Sequence, residues 1–407
     1  MKDAANKVKH IHQSKYLTIF CLSLFPFLGF WQMSLMGLLG TEVAKTLSIT
    51  LREANRLSAV YTYADALFLL PAGILMDRIG LRRSITLGLS FFSVGSLLFS
   101  IADHYLIAVL GRATSGAGHA FALLSCFSIV RALIPPKDQT FWISLTISIA
   151  LTGGVMAQAP THWILQKYSW QELSCGFFIV SIILSVLLIP LLPNAKEKTK
   201  PYTFDLCNHL KSCAQRYGNW GWSFFTFIMD IPIVVVGAVL GVQFLTIEKG
   251  YDPSLASLCL SMIYAGTLLG TPVLGYLLGR VDQKSKYKII ITAGSIASTA
   301  LFLICFLDTP KWVMILFFIL GFLSSIQAVG YAAVSHINPK PIVNTAMSFV
   351  NVLIMAGIGS MQFIYGSLQA DLNILFLTLA GLMLFASCLG GWLSSGSSAT
   401  VKLLNSS

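Results

Sequence analysis

Charge is scarce in this chain: 11% of its 407 residues are Asp, Glu, Lys or Arg, and only 16 are acidic. A water-soluble domain ordinarily carries about 25% charged residues, so this one lacks the means to coat itself for water. The seven histidines, His10, His12, His104, His119, His162, His209 and His336, form no H-E-x-x-H, and neither a nucleophile elbow nor a P-loop occurs. These absences argue against an enzyme and against an ATP-driven pump, and no cofactor or metal is implied. The eight cysteines lack metal spacing, and most lie in apolar runs, where they read as small buried residues. Cys207 and Cys213 lie in a polar stretch six residues apart, which is not a zinc spacing, and a reducing compartment argues against a disulfide there. No A-x-A site follows the first apolar run, so it reads as an uncleaved first helix.

What is abundant is hydrophobic sequence, 56% of residues, with a mean hydropathy of +0.76. A bilayer-crossing helix takes about 20 apolar residues, and the chain offers twelve such runs: 16–39, 55–76, 84–102, 105–130, 139–162, 173–192, 218–245, 254–278, 288–307, 312–335, 342–367 and 372–394. The expected fold is an all-α membrane protein of 12 transmembrane helices, referred to below as spans 1 to 12. With the N-terminus inside, the outer loops hold Lys45, Arg52, Arg56, Lys167, Lys249 and Lys311, and Arg112 falls within a span. The other twenty of the 27 basic residues are then cytoplasmic, which places both termini there. The net charge of +11 is thereby spent on topology, and no basic stripe remains for nucleic acid. The sequon at Asn405 would lie on the cytoplasmic tail and stay unmodified.

Between spans 2 and 3 runs Gly73-Ile74-Leu75-Met76-Asp77-Arg78-Ile79-Gly80-Leu81-Arg82-Arg83. Gly73 would let two helices approach closely, Asp77 can face a helix N-terminus, and Arg78, Arg82 and Arg83 hold the loop on the cytoplasmic side. An internal repeat accompanies it. Tyr63-Ala64, Pro71, Gly73 and Arg78 recur as Tyr264-Ala265, Pro272, Gly275 and Arg280, with one residue inserted after Pro272. The second copy has Gly279 where the first has Asp77. Duplication divides the chain into six-helix halves, residues 1–192 and 218–407, joined by a polar linker, 193–217. Parallel halves of this kind can rock about a site at their interface.

The loop pattern G-x-x-x-D-R-x-G-x-R-R resembles the signature of the major facilitator superfamily. Arg112-Ala113-Thr114-Ser115-Gly116-Ala117-Gly118 on span 4 resembles that family's R-x-x-x-G-x-G. Leu70-Pro71-Ala72-Gly73 and Gly153-Gly154-Val155-Met156-Ala157-Gln158-Ala159-Pro160 are similar to the phagosomal transporter branch of intracellular bacterial pathogens, which imports amino acids or nucleosides, and lysosomal dipeptide carriers share much of the loop. The drug-antiporter signature is missing from span 5. The resemblance implies a proton-coupled secondary carrier of a small polar metabolite such as an amino acid or small peptide. It would work as a monomer in a bacterial inner membrane, with Gly73, Asp77, Arg78, Gly80, Arg82 and Arg83 as a conformational latch. The alternatives are a nucleoside or other metabolite carrier, an efflux pump, or a non-transporting receptor.

The working residues are argued from cost, since an ionised group near the bilayer centre costs roughly 2.5 to 3.5 kcal/mol on insertion scales. Asp65 on span 2, Arg112 on span 4 and Asp230 on span 7 are the deep ones. From the expected span ends, Asp65 and Arg112 lie roughly 15 and 11 Å deep, so the expectation is a proton-sensitive Asp65–Arg112 pair, or else a purely structural one. Asp230, two residues before Pro232, is expected to meet a substrate ammonium or a proton, or else to stay neutral and hydrogen-bonded to backbone. His119 shares a helix face with Arg112 and joins the proton pathway, unless it merely packs. Gln32, Gln158, Gln243, Gln327, Tyr331, Asn351 and Gln362 are the neutral groups that could replace substrate hydration, or serve as interhelical hydrogen bonds. Gln158 and Gln362 stand 204 residues apart on equivalent spans, which favours a site near the axis relating the halves.

Overall fold

The computed structural model describes residues 2–192, 206–339, 342–367 and 372–404, and among these every regular element is helical. Eleven stretches are long and apolar enough to cross a membrane: Lys15–Met33, Leu51–Met76, Leu81–Ser100, Tyr105–Leu133, Trp170–Leu191, Tyr217–Glu248, Pro253–Leu278, Ser285–Phe306, Pro310–Ile337, Thr345–Ile364 and Leu372–Ser394. A shorter apolar helix, Leu145–Met156, stands where the fifth span is expected and completes the twelve. Residues 193–205 of the expected linker lie outside the described residues, and the remainder includes a helix, Leu206–Ala214.

The two halves each build their own apolar cluster. Spans 1 to 6 make one, with Val352 and Met355 of span 11 packed against it; spans 7 to 12 make the other, with Met33 and Tyr61 reaching into it. Spans 2 and 4 touch through glycine, since a Cβ on Gly116 would lie 2.2 Å from Tyr61 O. Spans 8 and 10 repeat the device, Gly321 against Ile263 O at 2.0 Å. The tyrosines also reveal the register of the repeat. Tyr61 donates its hydroxyl to Gly29 O and Tyr264 donates to Ile233 O, both at 3.1 Å, so each ties the second span of its half to the first. By this measure Tyr264 corresponds to Tyr61, whereas the sequence pattern had paired it with Tyr63.

Several helix ends differ from expectation for local reasons. Span 2 starts four residues early, at Leu51, because Thr50 and Glu53 form a capping box that satisfies its first amides. Span 1 does not end near residue 39; it breaks at Ser34 and resumes as Met36–Thr46. Span 4 breaks after His119 and span 10 at Ser325–Gln327, positions about one repeat apart. Pro232 opens span 7 as foreseen: lacking an N–H, it leaves the Ile228 carbonyl without its usual donor, and the chain continues as a π-helix over Pro232–Leu240. The arginine-rich motif is scarcely a loop. Gly73 to Ile79 remain in helix and Leu81 to Arg83 begin the next, so Gly80 alone, at φ 84°, turns the chain in a conformation that suits glycine.

Contacts between the halves gather at one end. Call the end with Arg78, Arg82 and Arg83 the arginine end, and the opposite one the Thr50 end. Toward the Thr50 end, Asn55 and Gln243 exchange amide hydrogen bonds at 2.9 and 3.3 Å. There Gly37 abuts the Ala238 and Val239 carbonyls, and Arg56 sits over the Phe363 ring at 4.9 Å. At the arginine end the halves stand apart. A Cβ at Gly73 or Gly275 would meet nothing within 4 Å, and Arg78 is exposed. The close approach expected at Gly73 is therefore absent in this state, because the bundle is open on that side.

Candidate functional site

In the N-terminal half the ionisable groups pair differently from expectation. Arg112, 2% exposed, donates from Nη1 to Gln32 O at 2.9 Å and from Nε to Leu57 O at 3.2 Å. Its guanidinium also lies 4.4 Å over the Tyr61 ring and 5.7 Å from that of Phe99. The Gln32 carbonyl needs a donor because span 1 breaks two residues later, and a cation at such a helix C-terminus is favoured by the helix dipole. Among the described residues no carboxylate lies within 4 Å of Arg112.

Asp65 meets His119 instead, Oδ2 to Nδ1 at 3.4 Å, with both side chains 6% exposed. Helix starts explain the exchange of partners. Span 2 begins at Leu51 and span 4 at Tyr105, so Asp65 and His119 both lie fourteen residues in, about 21 Å along their helices, while Arg112 lies only half as deep. Shifting the span-2 start by one helical turn moves Asp65 from Arg112's neighbourhood to the level of His119.

Most of the neutral candidates are consumed as structural bonds in this state. Gln32 donates to Ser96 Oγ at 2.7 Å, and Gln243 is committed to Asn55. Gln158 and Gln362, almost fully buried, donate to Gly237 O at 3.0 Å and Val234 O at 2.7 Å. Both acceptors lie in the π-helical stretch, so the symmetric glutamines brace the opened part of span 7. Thr62 of the other half donates to Gln362 Oε1 at 2.8 Å. Sequence reasoning missed Asn55, Thr62 and Tyr61; the offset of the last two from the motif residues left no pattern to flag them.

The remaining candidates converge in the C-terminal half. Asp230 is hydrogen-bonded to the Gln327 side chain, and Tyr331 donates its hydroxyl to Asn351 Oδ1 at 3.1 Å. Thr226, one turn before Asp230, reaches the Gln327 carbonyl at 3.3 Å. Gln327, Tyr331 and Asn351 are half-buried. Asn351 shares its face of span 11 with Met355, one turn on, which packs against both apolar clusters. The cluster therefore lies at mid-depth on the side of the C-terminal half that meets the other half. It offers one carboxylate, two amides and a phenol to a solute.

A bundle of two six-helix halves, tied at one end, open at the other and carrying polar groups at mid-depth, defines a membrane carrier. The family model of the Major Facilitator Superfamily matches residues 20–359 and again 222–404, and the chain belongs to that superfamily. Among its relatives is the probable galactarate/D-glucarate transporter GarP of Escherichia coli K12, 21% identical over 391 residues that cover 85% of this chain and 86% of the relative. The multidrug resistance protein MdtL of Shigella dysenteriae is 26% identical over 183 residues, 43% of this chain and 46% of that one. Of the solved structures, a D-xylose-proton symporter superposes with a TM-score of 0.73 at 12% identity, covering 92% of this chain and 96% of its own. A bacterial homologue of the human lysosomal transporter Spinster, inward-facing and unoccupied, gives 0.66 at 16% identity, with coverage of 94% and 97%.

Proposed function

We propose that the chain is a proton-coupled importer of a small polar metabolite bearing an amino group, an amino acid or small peptide. The reading rests above all on the Asp230, Gln327, Tyr331 and Asn351 cluster, where a carboxylate stands among hydrogen-bonding groups with no Lys, Arg or His within 4 Å among the described residues. A buried carboxylate so placed attracts an ammonium group and disfavours a second carboxylate. For that reason a dianionic sugar acid of the kind named for GarP fits poorly: the nearby half offers only Arg112, which is enclosed and held by two carbonyls. The distribution of basic residues supports a cytoplasmic arginine end in a bacterial inner membrane. The structure then corresponds to the inward-open state, with Gly73, Asp77, Arg78, Gly80, Arg82 and Arg83 as a latch at rest; the Asp77 side chain lies outside the described residues.

The test is uptake of labelled amino acids, dipeptides, nucleosides and D-glucarate by proteoliposomes holding the purified chain, with and without an inward proton gradient. Gradient-stimulated uptake of an amino acid or dipeptide is expected. Uptake of D-glucarate alone would sink the assignment of Asp230 to an ammonium group.

A further inference from the structure

The N-terminal half encloses a titratable pair that substrate binding leaves without a task. His119 packs edge-on against Phe30 with ring centroids 5.5 Å apart and lies 5.7 Å from Tyr61. Its ring fills the space over Gly29, where a Cβ would come within 2.0 Å of Cδ2. Neither ring nitrogen has a hydrogen bond of good geometry, although Nδ1 is at ion-pair distance from Asp65. Buried polar nitrogens left in this condition cost stability, so packing alone is a poor reason for a histidine here.

The charge balance gives the pair a task. Tyr61 contacts both Arg112 and His119, which sets Arg112 and Asp65 on two successive levels of one enclosed cluster. With His119 neutral, the single carboxylate of Asp65 balances Arg112. With His119 protonated, two cations share one anion in a medium of low dielectric, and Asp65 is drawn to the nearer. Other ionisable groups do not intervene: among the described residues of spans 1, 3 and 11, those present are Lys15, Tyr16, Cys21, Arg82 and Arg83, all toward the arginine end. Asp230 of span 7 faces Gln327.

The mechanical connection is short. His119 rests on Gly29, five residues before the break in span 1, and Arg112 holds that break through Gln32 O. The segment beyond the break carries Gly37 against the π-helical part of span 7, a contact that closes the Thr50 end.

We propose that Asp65 and His119 form one proton-binding unit, and that the proton they take up sets the balance between the two openings of the carrier. This deepens the reading above and rests on it only in identifying the bound proton with the one that drives transport. The unit is tested without substrate, using spin labels on Ile79→Cys and Leu277→Cys, exposed positions on the ends of spans 2 and 8. The native cysteines are replaced, the full chain is placed in nanodiscs, and inter-label distances are recorded from pH 5 to 9. The label distances are expected to shift with pH; Asp65→Asn abolishes the shift, Asp65→Glu retains it, and His119→Gln moves its midpoint by at least one pH unit. The proposal is overturned if the distances ignore pH, if Asp65→Asn and His119→Gln both keep the original midpoint, or if Asp230→Asn alone removes the response. Failed uptake of every amino acid and peptide alongside an intact pH response would defeat the substrate reading and leave this unit standing.

Discussion

The two halves carry polar groups at similar depth but use them in opposite ways. In the N-terminal half, Arg112, Gln32, Tyr61 and Ser96 are buried and wired to carbonyls and hydroxyls of neighbouring spans. In the C-terminal half, Gln327, Tyr331 and Asn351 are half-buried around Asp230 and keep free hydrogen-bonding capacity. A duplicated scaffold thus separates two requirements that conflict at a single site. A charge that must respond to protons needs an enclosure of low dielectric, whereas groups that must grip a solute need an opening. The contrast predicts that mutations in the first set change stability or proton response and mutations in the second change affinity.

The largest effect should come from Arg112→Leu. Two carbonyl contacts from a charged donor are lost, each worth ~1.5–3 kcal/mol, offset in part because a buried charge disappears as well. A net loss of about 3 kcal/mol is expected in reversible denaturant unfolding of the solubilised protein. Unchanged stability with altered substrate affinity would reverse the comparison and make Arg112 a solute ligand.

Asp230→Asn is the counterpart. It keeps the size of the side chain and its ability to bond Gln327 but removes the charge, so substrate KM should rise about ten- to a hundredfold, the ~1.5–3 kcal/mol of a charged hydrogen bond. Unfolding should move by less than about 1 kcal/mol, in line with a conservative change that leaves the neighbouring contacts in place. A large stability loss with unchanged KM would show that Asp230 is structural, like Arg112. Below this comes Tyr331→Phe, which deletes the hydroxyl bonded to Asn351. A neutral bond of about 1 kcal/mol corresponds to roughly a fivefold rise in KM, read from initial uptake rates; no change would remove Tyr331 from the solute's reach.

The fold was legible in the sequence because its controlling signals are long and redundant: apolar runs of bilayer length, an arginine-rich turn and a repeat of about 200 residues. Breaks inside spans were harder. Pro232 announced the opening of span 7 through its missing N–H, but the breaks at Ser34 and after His119 have no proline at the break itself and depend on tertiary partners such as Arg112. The site was legible as a set of residues, less so as a set of pairs. Asp65 was matched to Arg112 because the span-2 start was placed at residue 55, midway between the levels that would favour Arg112 and His119; the Thr50–Glu53 capping box, visible as T-x-x-E, decides it. For Gln158 and Gln362 the symmetry was real, but their acceptors are carbonyls freed by a π-helix, which side-chain patterns do not disclose.

The smallest effect contrasts the two ends of the bundle more than the two halves. In this state a methyl group at Gly73 meets nothing, so Gly73→Ala introduces no strain and should slightly favour the helix, by up to about 1 kcal/mol. In the opposite opening, spans of the two halves must approach at this end, and the same methyl would then press on a neighbour. Gly73→Ala is therefore expected to shift the population toward the structure seen here, roughly two- to fivefold, a differential of about 0.5–1 kcal/mol. The label distances between Ile79→Cys and Leu277→Cys would record it. A population that stays put would mean that the halves close through other contacts and that Gly73 serves the turn at Gly80 and its arginines rather than a close approach of helices.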